Sequence, residues 1–161
     1  MDGKICVVTG ATQGLGGSDC PQACRRRGRR RSHHRAQLTR GQAVACSLSE
    51  AHNLPVHVTR ADFASVADCR HVIAETDRLF GRSGVLVNAG ASTARGTIID
   101  TSPETFDARF STNVRDPCFL MQEAIKLMIR DGIEGAICNI GSISALAAQP
   151  FINACCASKV P

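Results

Sequence analysis

The sequence predicts a single α/β domain in which a doubly wound parallel sheet lies between two layers of helices. Three observations point there. Short apolar runs recur at residues 4–9, 54–59, 85–87 and 136–140, rich in the β-branched residues of strands buried in a parallel sheet. Amphipathic stretches of helical length separate them, so strand and helix alternate as in successive βαβ units. The first run breaks directly into a glycine-rich turn, Gly10-Ala11-Thr12-Gln13-Gly14-Leu15-Gly16. No internal repeat or linker marks a second domain, so residues 1–161 are read as one unit.

In chain order, KICVVT at 4–9 is the first strand, ending at Gly10. Residues 39–51 have helix-forming composition, and 54–59 alternates as a strand does. Ser65 with Asp68 three places on is a capping box, opening a helix whose Cys69, Val72, Ile73, Leu79 and Phe80 fall on one face. Residues 85–87 form a further buried strand. Ser102-Pro103 starts a long helix, with proline at the first helical position, where its missing N–H costs nothing. That helix is expected to turn Phe106, Phe110, Val114, Leu120, Ala124, Ile125 and Met128 towards a core. Residues 136–140 are a further strand.

Bulk properties narrow the class. With 43% hydrophobic and 20% charged residues the chain reads as a globular protein. No apolar run approaches the ~20 residues that span a bilayer, and the N-terminus does not read as a signal peptide, so the cytoplasm is the expected location. Nine scattered cysteines suggest reduced, mostly buried thiols rather than a disulfide framework. Cys20 and Cys24 with His33 and His34 miss the spacing of a zinc site, and no metal is expected. Residues 17–40 hold eight arginines and one acid, Asp19, whereas the remainder holds 11 basic and 13 acidic residues. Such a block can bind nucleic acid. No aromatic residue interleaves it for base stacking, so nucleic acid is not the expected partner.

The chemistry-bearing motifs follow the strands in order. The glycine-rich turn has the spacing G-x3-G-x-G and lets a backbone approach a pyrophosphate at a helix N-terminus. Asp62 lies just past the third strand, and Asn88-Ala89-Gly90 follows the fourth. Asn113 sits on the long helix, Ser142 lies two residues past the fifth strand, and Lys159 stands near the C-terminus. In this combination the chain resembles the short-chain dehydrogenase/reductase family over residues 1–16 and again over about 38–159. The resemblance implies a Rossmann-type three-layer fold and NAD or NADP as cofactor. Gly10, Thr12, Gly14, Leu15 and Gly16 correspond to the cofactor loop and Asp62 to an adenine contact. Asn88, Ala89 and Gly90 correspond to the cleft-lining N-A-G, and Lys159 to a ribose contact. Asn113, Ser142 and Lys159 also match catalytic positions, as proton-relay asparagine, oxygen-holding serine and lysine of Y-x3-K. The implied activity is hydride transfer between a secondary alcohol and a carbonyl, on a small-molecule substrate.

Cys155 stands where that family has its tyrosine, and the chain contains no tyrosine. A thiol is acidic enough, at about 8.5 against about 10 for tyrosine. Its sulfur, however, lies one bond beyond Cβ, and general acid catalysis needs heavy atoms within roughly 3 Å. Activity is therefore expected to be impaired. The alternative reading is a non-catalytic remnant with at most weak dinucleotide binding; a basic nucleic-acid-binding module using residues 25–35 ranks below both. The resemblance further implies a helix, two strands and a substrate-binding segment after Pro161. Without them the fifth strand is expected as an open edge, and oligomer formation is left in doubt because the usual interface helix would be among them.

Residues 17–37 supply neither the apolar helix nor the apolar second strand that a βαβ unit requires. A one-base slip of reading frame accounts for this: shifted, the codons of 25–37 can encode a helix end, a turn and a β-branched strand, with Ile or Thr forced where His33 and His34 stand. The end of that second strand decides between NAD and NADP in this fold, so the choice is not legible here.

Overall fold

The computed structural model describes residues 4–11, 30–34, 38–93, 95–147 and 149–159. Five strands form one parallel sheet: β1 (Ile5–Thr9), β2 (Arg30–His34), β3 (Val56–Thr59), β4 (Val85–Asn88) and β5 (Ala136–Asn139), in the order β3-β2-β1-β4-β5. Helices α1 (Leu38–His52) and α2 (Val66–Phe80) alternate with them. Between β4 and β5 a continuous helical segment comprises α3 (Pro103–Phe110), a π turn (Ser111–Arg115) and α4 (Asp116–Arg130). After β5 come a 3-10 turn (Ile143–Ala145) and the short α5 (Asn153–Ala157). The doubly wound α/β architecture expected from the sequence is therefore present.

The apolar runs form strands because both faces are covered. Val7 and Leu86 pack with Val72, Ile73, Leu120, Ala124, Leu127 and Met128 of α2 and α4, while Cys6, Val8 and Val85 pack with Leu48 of α1 on the opposite side. Successive strand residues thus point into different layers, as the period of two requires. The segment without apolar strand character nevertheless supplies β2: Arg30–His34 pairs with β1 from Ile5↔Arg30 to Thr9↔His34 and with β3 from Arg31↔Val56 to His34↔Thr59. Backbone pairing on both sides places it where composition alone gave no strand.

Caps fix the helix starts. Ser65 Oγ accepts from Asp68 N at 3.2 Å, as the capping box predicts. The Asp68 carboxylate instead receives Asp62 N at 2.7 Å, tying the end of the β3 loop to α2. Ser102 Oγ accepts from Thr105 N at 3.3 Å ahead of Pro103. Within the long helical segment, Asp116 N donates to Ser111 O, a π-type bond, and Pro117 has no N–H to offer the Asn113 carbonyl.

The core of that segment differs from the expectation. Leu120, Ala124 and Met128 are buried, but Phe106, Val114 and Ile125 are more than 40% exposed. Leu79 and Phe80 of α2 are half-buried, and Thr76 fills the buried face instead, its hydroxyl donating to Val72 O at 2.9 Å. The seven described cysteines form no disulfide among themselves, yet only Cys6, Cys69 and Cys155 are buried, whereas Cys46, Cys118 and Cys138 are exposed.

Cys69 sits between α2 and α4, and burial, reinforced by the negative charges of Asp116 and Asp68, pushes its thiol from 9.0 up to about 12. A proton held more tightly in the folded state stabilises it until the unfolded thiol ionises, so stability should fall as pH rises from about 9 towards 12. The slope approaches ~1.4 kcal/mol per pH unit for this one group. Urea midpoints measured from neutral to alkaline pH should show the decline, with a shallower slope for Cys69→Ala; equal slopes in both proteins count against it.

Candidate active site

The strand order reverses direction between β1 and β4, which makes their carboxyl ends the switch point at which open α/β sheets bind ligands. The register brings Thr9, Asn88 and Asn139 into one polar row at that end of the sheet. Thr9 Oγ1 accepts from Ala89 N at 3.1 Å and from Gly90 N at 3.0 Å, pulling the turn after β4 onto the turn after β1. Gly10 adopts φ +66°, and a Cβ there would lie 2.7 Å from Gly90 Cα and N and 2.9 Å from Ala89 O. Only glycine permits both the left-handed backbone and that approach. Asn88 Nδ2 donates to Asn139 Oδ1 at 2.8 Å, and its own buried Oδ1 has no partner among the described residues.

A second cluster lies where the π turn meets α5. The buried Asn113 receives Ser92 N on Oδ1 at 2.8 Å and donates through Nδ2 to Ser92 O at 3.2 Å and to Ser158 Oγ at 2.8 Å. Ser158 Oγ in turn donates to Cys155 O at 2.8 Å. One asparagine amide thus ties the loop after β4 to α5, a job that needs a donor and an acceptor on one side chain. Cys155 and Lys159 are four residues apart, hence on one face of that turn. Lys159 Nζ donates to Ile140 O at 3.0 Å, anchoring it at the end of β5. Ser142, two residues further along, accepts Ser144 N on Oγ at 3.2 Å and caps the 3-10 turn.

Arg109, one turn before Asn113, donates from Nη1 to Ser92 Oγ, and its buried Nε has no acceptor among the described residues. Burial pushes the Cys155 thiol above its ordinary range and neighbouring Cys156 adds to this, while the positive charges of Lys159 and Arg109 pull it down. Burial prevails, so Cys155 is a neutral thiol at neutral pH.

The structure thus joins Gly10, Asn88, Ala89 and Gly90 in one crevice, and Asn113, Cys155 and Lys159 around α5. Asp62, past the end of β3, is exposed, with Oδ1 accepting Ala64 N at 2.9 Å. Thr12, Gly14, Leu15 and Gly16 lie outside the described residues. Sequence reasoning assigned no contact to Thr9, Ser92, Arg109, Asn139 or Ser158, although Thr9 opens the cofactor-loop motif. Thr9 and Asn139 each adjoin or end a recognised strand motif, and Ser158 adjoins Lys159. Ser92 and Arg109 carry no motif signal, because only folding brings the two together.

Comparison with known proteins agrees with this geometry. The sequence profile of the family described as short chain dehydrogenase matches residues 4–160. The chain is similar to a sorbitol dehydrogenase of Cereibacter sphaeroides, 28% identical over 99% of this chain and 60% of that protein. It is also similar to an L-rhamnose 1-dehydrogenase (NAD(P)(+)) of Azotobacter vinelandii, 31% identical over 89% of this chain and 57% of that protein. Among solved structures, a short-chain dehydrogenase/reductase from Serratia marcescens superposes with a TM-score of 0.89 at 26% identity, covering 98% of this chain and 63% of its own. The chain therefore spans about three-fifths of the length of the proteins it matches.

Proposed function

The chain belongs to the short-chain dehydrogenase family, and from that premise we propose that it is built for NAD(P)-dependent interconversion of a secondary alcohol and a carbonyl, in a form weakened at the proton-transfer position. The observation that carries the reading is the fused junction of Thr9, Gly10 and Asn88–Gly90 at the sheet's switch point, with the Asn113–Ser158–Cys155 network beside it. The unpartnered, buried Asn88 Oδ1 is an acceptor at that crevice, which suits a nucleotide carrying hydrogen-bond donors. The dinucleotide supplies the hydride donor or acceptor when bound. Gly10, Asn88, Ala89 and Gly90 would line its cleft, together with Thr12, Gly14, Leu15 and Gly16 and, at the adenine end, Asp62. Lys159 would hold the ribose.

The remaining chemistry falls to the chain's own side chains. The Ser142 hydroxyl would hold the substrate oxygen, and Asn113 would position the water of a proton relay. Cys155 stays protonated at neutral pH and so has a proton to give, but its sulfur ends one bond beyond Cβ, and transfer would require an intervening water. That short reach is also what favours the second reading, a dinucleotide-binding protein without turnover. NAD against NADP is assigned to the end of β2, and a one-base slip of reading frame accounts for residues 17–37; sequencing the gene tests it, because a stop codon or a polar jumble in the shifted frame eliminates it.

Fluorescence titration with NADH and with NADPH tests the reading. Saturable binding of either at up to millimolar cofactor is expected; no binding of either overturns it. Bound cofactor without carbonyl-dependent oxidation would select the second reading.

A further inference from the structure

Arg109 and Lys159 are both half-buried cations beside Cys155, and no carboxylate pairs with either among the described residues. Arg78 is paired with Glu75 and Arg130 with Asp77, whereas Lys4 at the surface has only the Glu134 carbonyl. Lys159 has the Ile140 carbonyl. Arg109 is less well provided: Ser92 takes Nη1, while Nε is buried without an acceptor. A buried N–H left unmatched is costly, more so on a charged group. The Nε edge of a guanidinium is also the edge that grips a carboxylate through two parallel hydrogen bonds.

We propose that Arg109 is a specificity-determining residue, whose Nε edge holds the carboxylate of a small hydroxy- or oxo-acid substrate beside Cys155. Its place is set by α3, which carries it one turn ahead of Asn113, and by Ser92, which binds both residues. A hydroxyl of a neutral sugar alcohol would accept from Nε but leave the charge unanswered; an acid would answer both the donor and the charge.

The proposal rests on the oxidoreductase reading for its substrate, but carboxylate binding needs no cofactor, so the two can fail separately. Isothermal titration of the whole chain with acetate is expected to show saturable binding, with acetamide, the neutral isostere, binding at least about tenfold more weakly. Arg109→Gln is expected to weaken acetate binding by about 10- to 100-fold. Arg109→Lys should retain part of it, and both variants should melt as the parent does. NADH and NADPH affinities are expected to be unchanged in Arg109→Gln. Equal acetate affinity in parent and Arg109→Gln, or no acetate binding by the parent, overturns the proposal. A variant that loses affinity for the dinucleotide instead of acetate also overturns it, by assigning the anion to a cofactor phosphate.

Discussion

In a chain extended to the length of its relatives, Cys155→Tyr is expected to raise the proposed NADH- or NADPH-dependent carbonyl reduction by about a hundredfold to ten-thousandfold, the range that a well-placed general acid contributes. The argument is one of reach and acidity together. Cys155 is 5% exposed, a small buried group in the middle of α5, with its proton held tightly by burial. A phenol on the same Cα would carry its oxygen a ring's length farther than the sulfur reaches. Lys159, four residues along, would lower the phenol's pKa as it already pulls on the thiol. Steady-state rates compared at saturating cofactor would decide the matter. If the variant binds cofactor, melts as the parent does and turns over no faster, proton transfer is not what limits this protein.

Gly10→Ala is expected to destabilise the protein by about 3 kcal/mol or more. A Cβ at 2.7 Å from two backbone atoms of Gly90 cannot be relieved by a rotamer change, so the two turns must separate. Overpacking of that kind typically costs about 1–3 kcal/mol, and the left-handed backbone adds about 1–2 kcal/mol for an L-residue. Against a total stability of about 5–15 kcal/mol this is a large fraction. The neighbouring change Gly90→Ala makes the contrast: its Cβ meets Thr9 Oγ1 at 3.3 Å and nothing closer, and φ there is not positive. It should cost under about 1 kcal/mol. Urea denaturation of the two variants measures both, and a Gly10→Ala midpoint equal to that of Gly90→Ala would falsify the close-approach argument.

Much of the fold was legible because it rests on local pattern. The apolar runs gave β1, β3, β4 and β5 to within a residue or two, and Ser65 and Ser102 located their helices through capping. Gly10, Asn88, Asn113 and Lys159 were legible because each stands at a fixed offset from a strand or helix. β2 was not, because the residues 30–34 have no apolar periodicity and are placed by pairing with strands distant in sequence. Arg109 and Ser92 were invisible for a related reason, being 17 residues apart and joined only across the crevice. The long helix misled in another way: Ile125 was assigned to a core that it does not reach.

The π turn at Ser111–Arg115 has a consequence for that helix as a whole. Accommodating one extra residue in a turn shifts everything before it by one step of the helical wheel, about 100°, relative to everything after it. On an uninterrupted wheel Phe106 would share the face of Leu120 and Ala124. With the offset it is swung aside, stacked on Phe110 at 4.3 Å between ring centroids and left 42% exposed. The helix is in effect two rotors joined out of phase, with Asn113 at the coupling. Its sequence cannot be read, or redesigned, with a single wheel: a repeat that is coherent from Asn113 to Met128 says nothing about which side of α3 faces inward, and losing one residue at the coupling would re-aim Arg109 while leaving every residue of α4 where it stands.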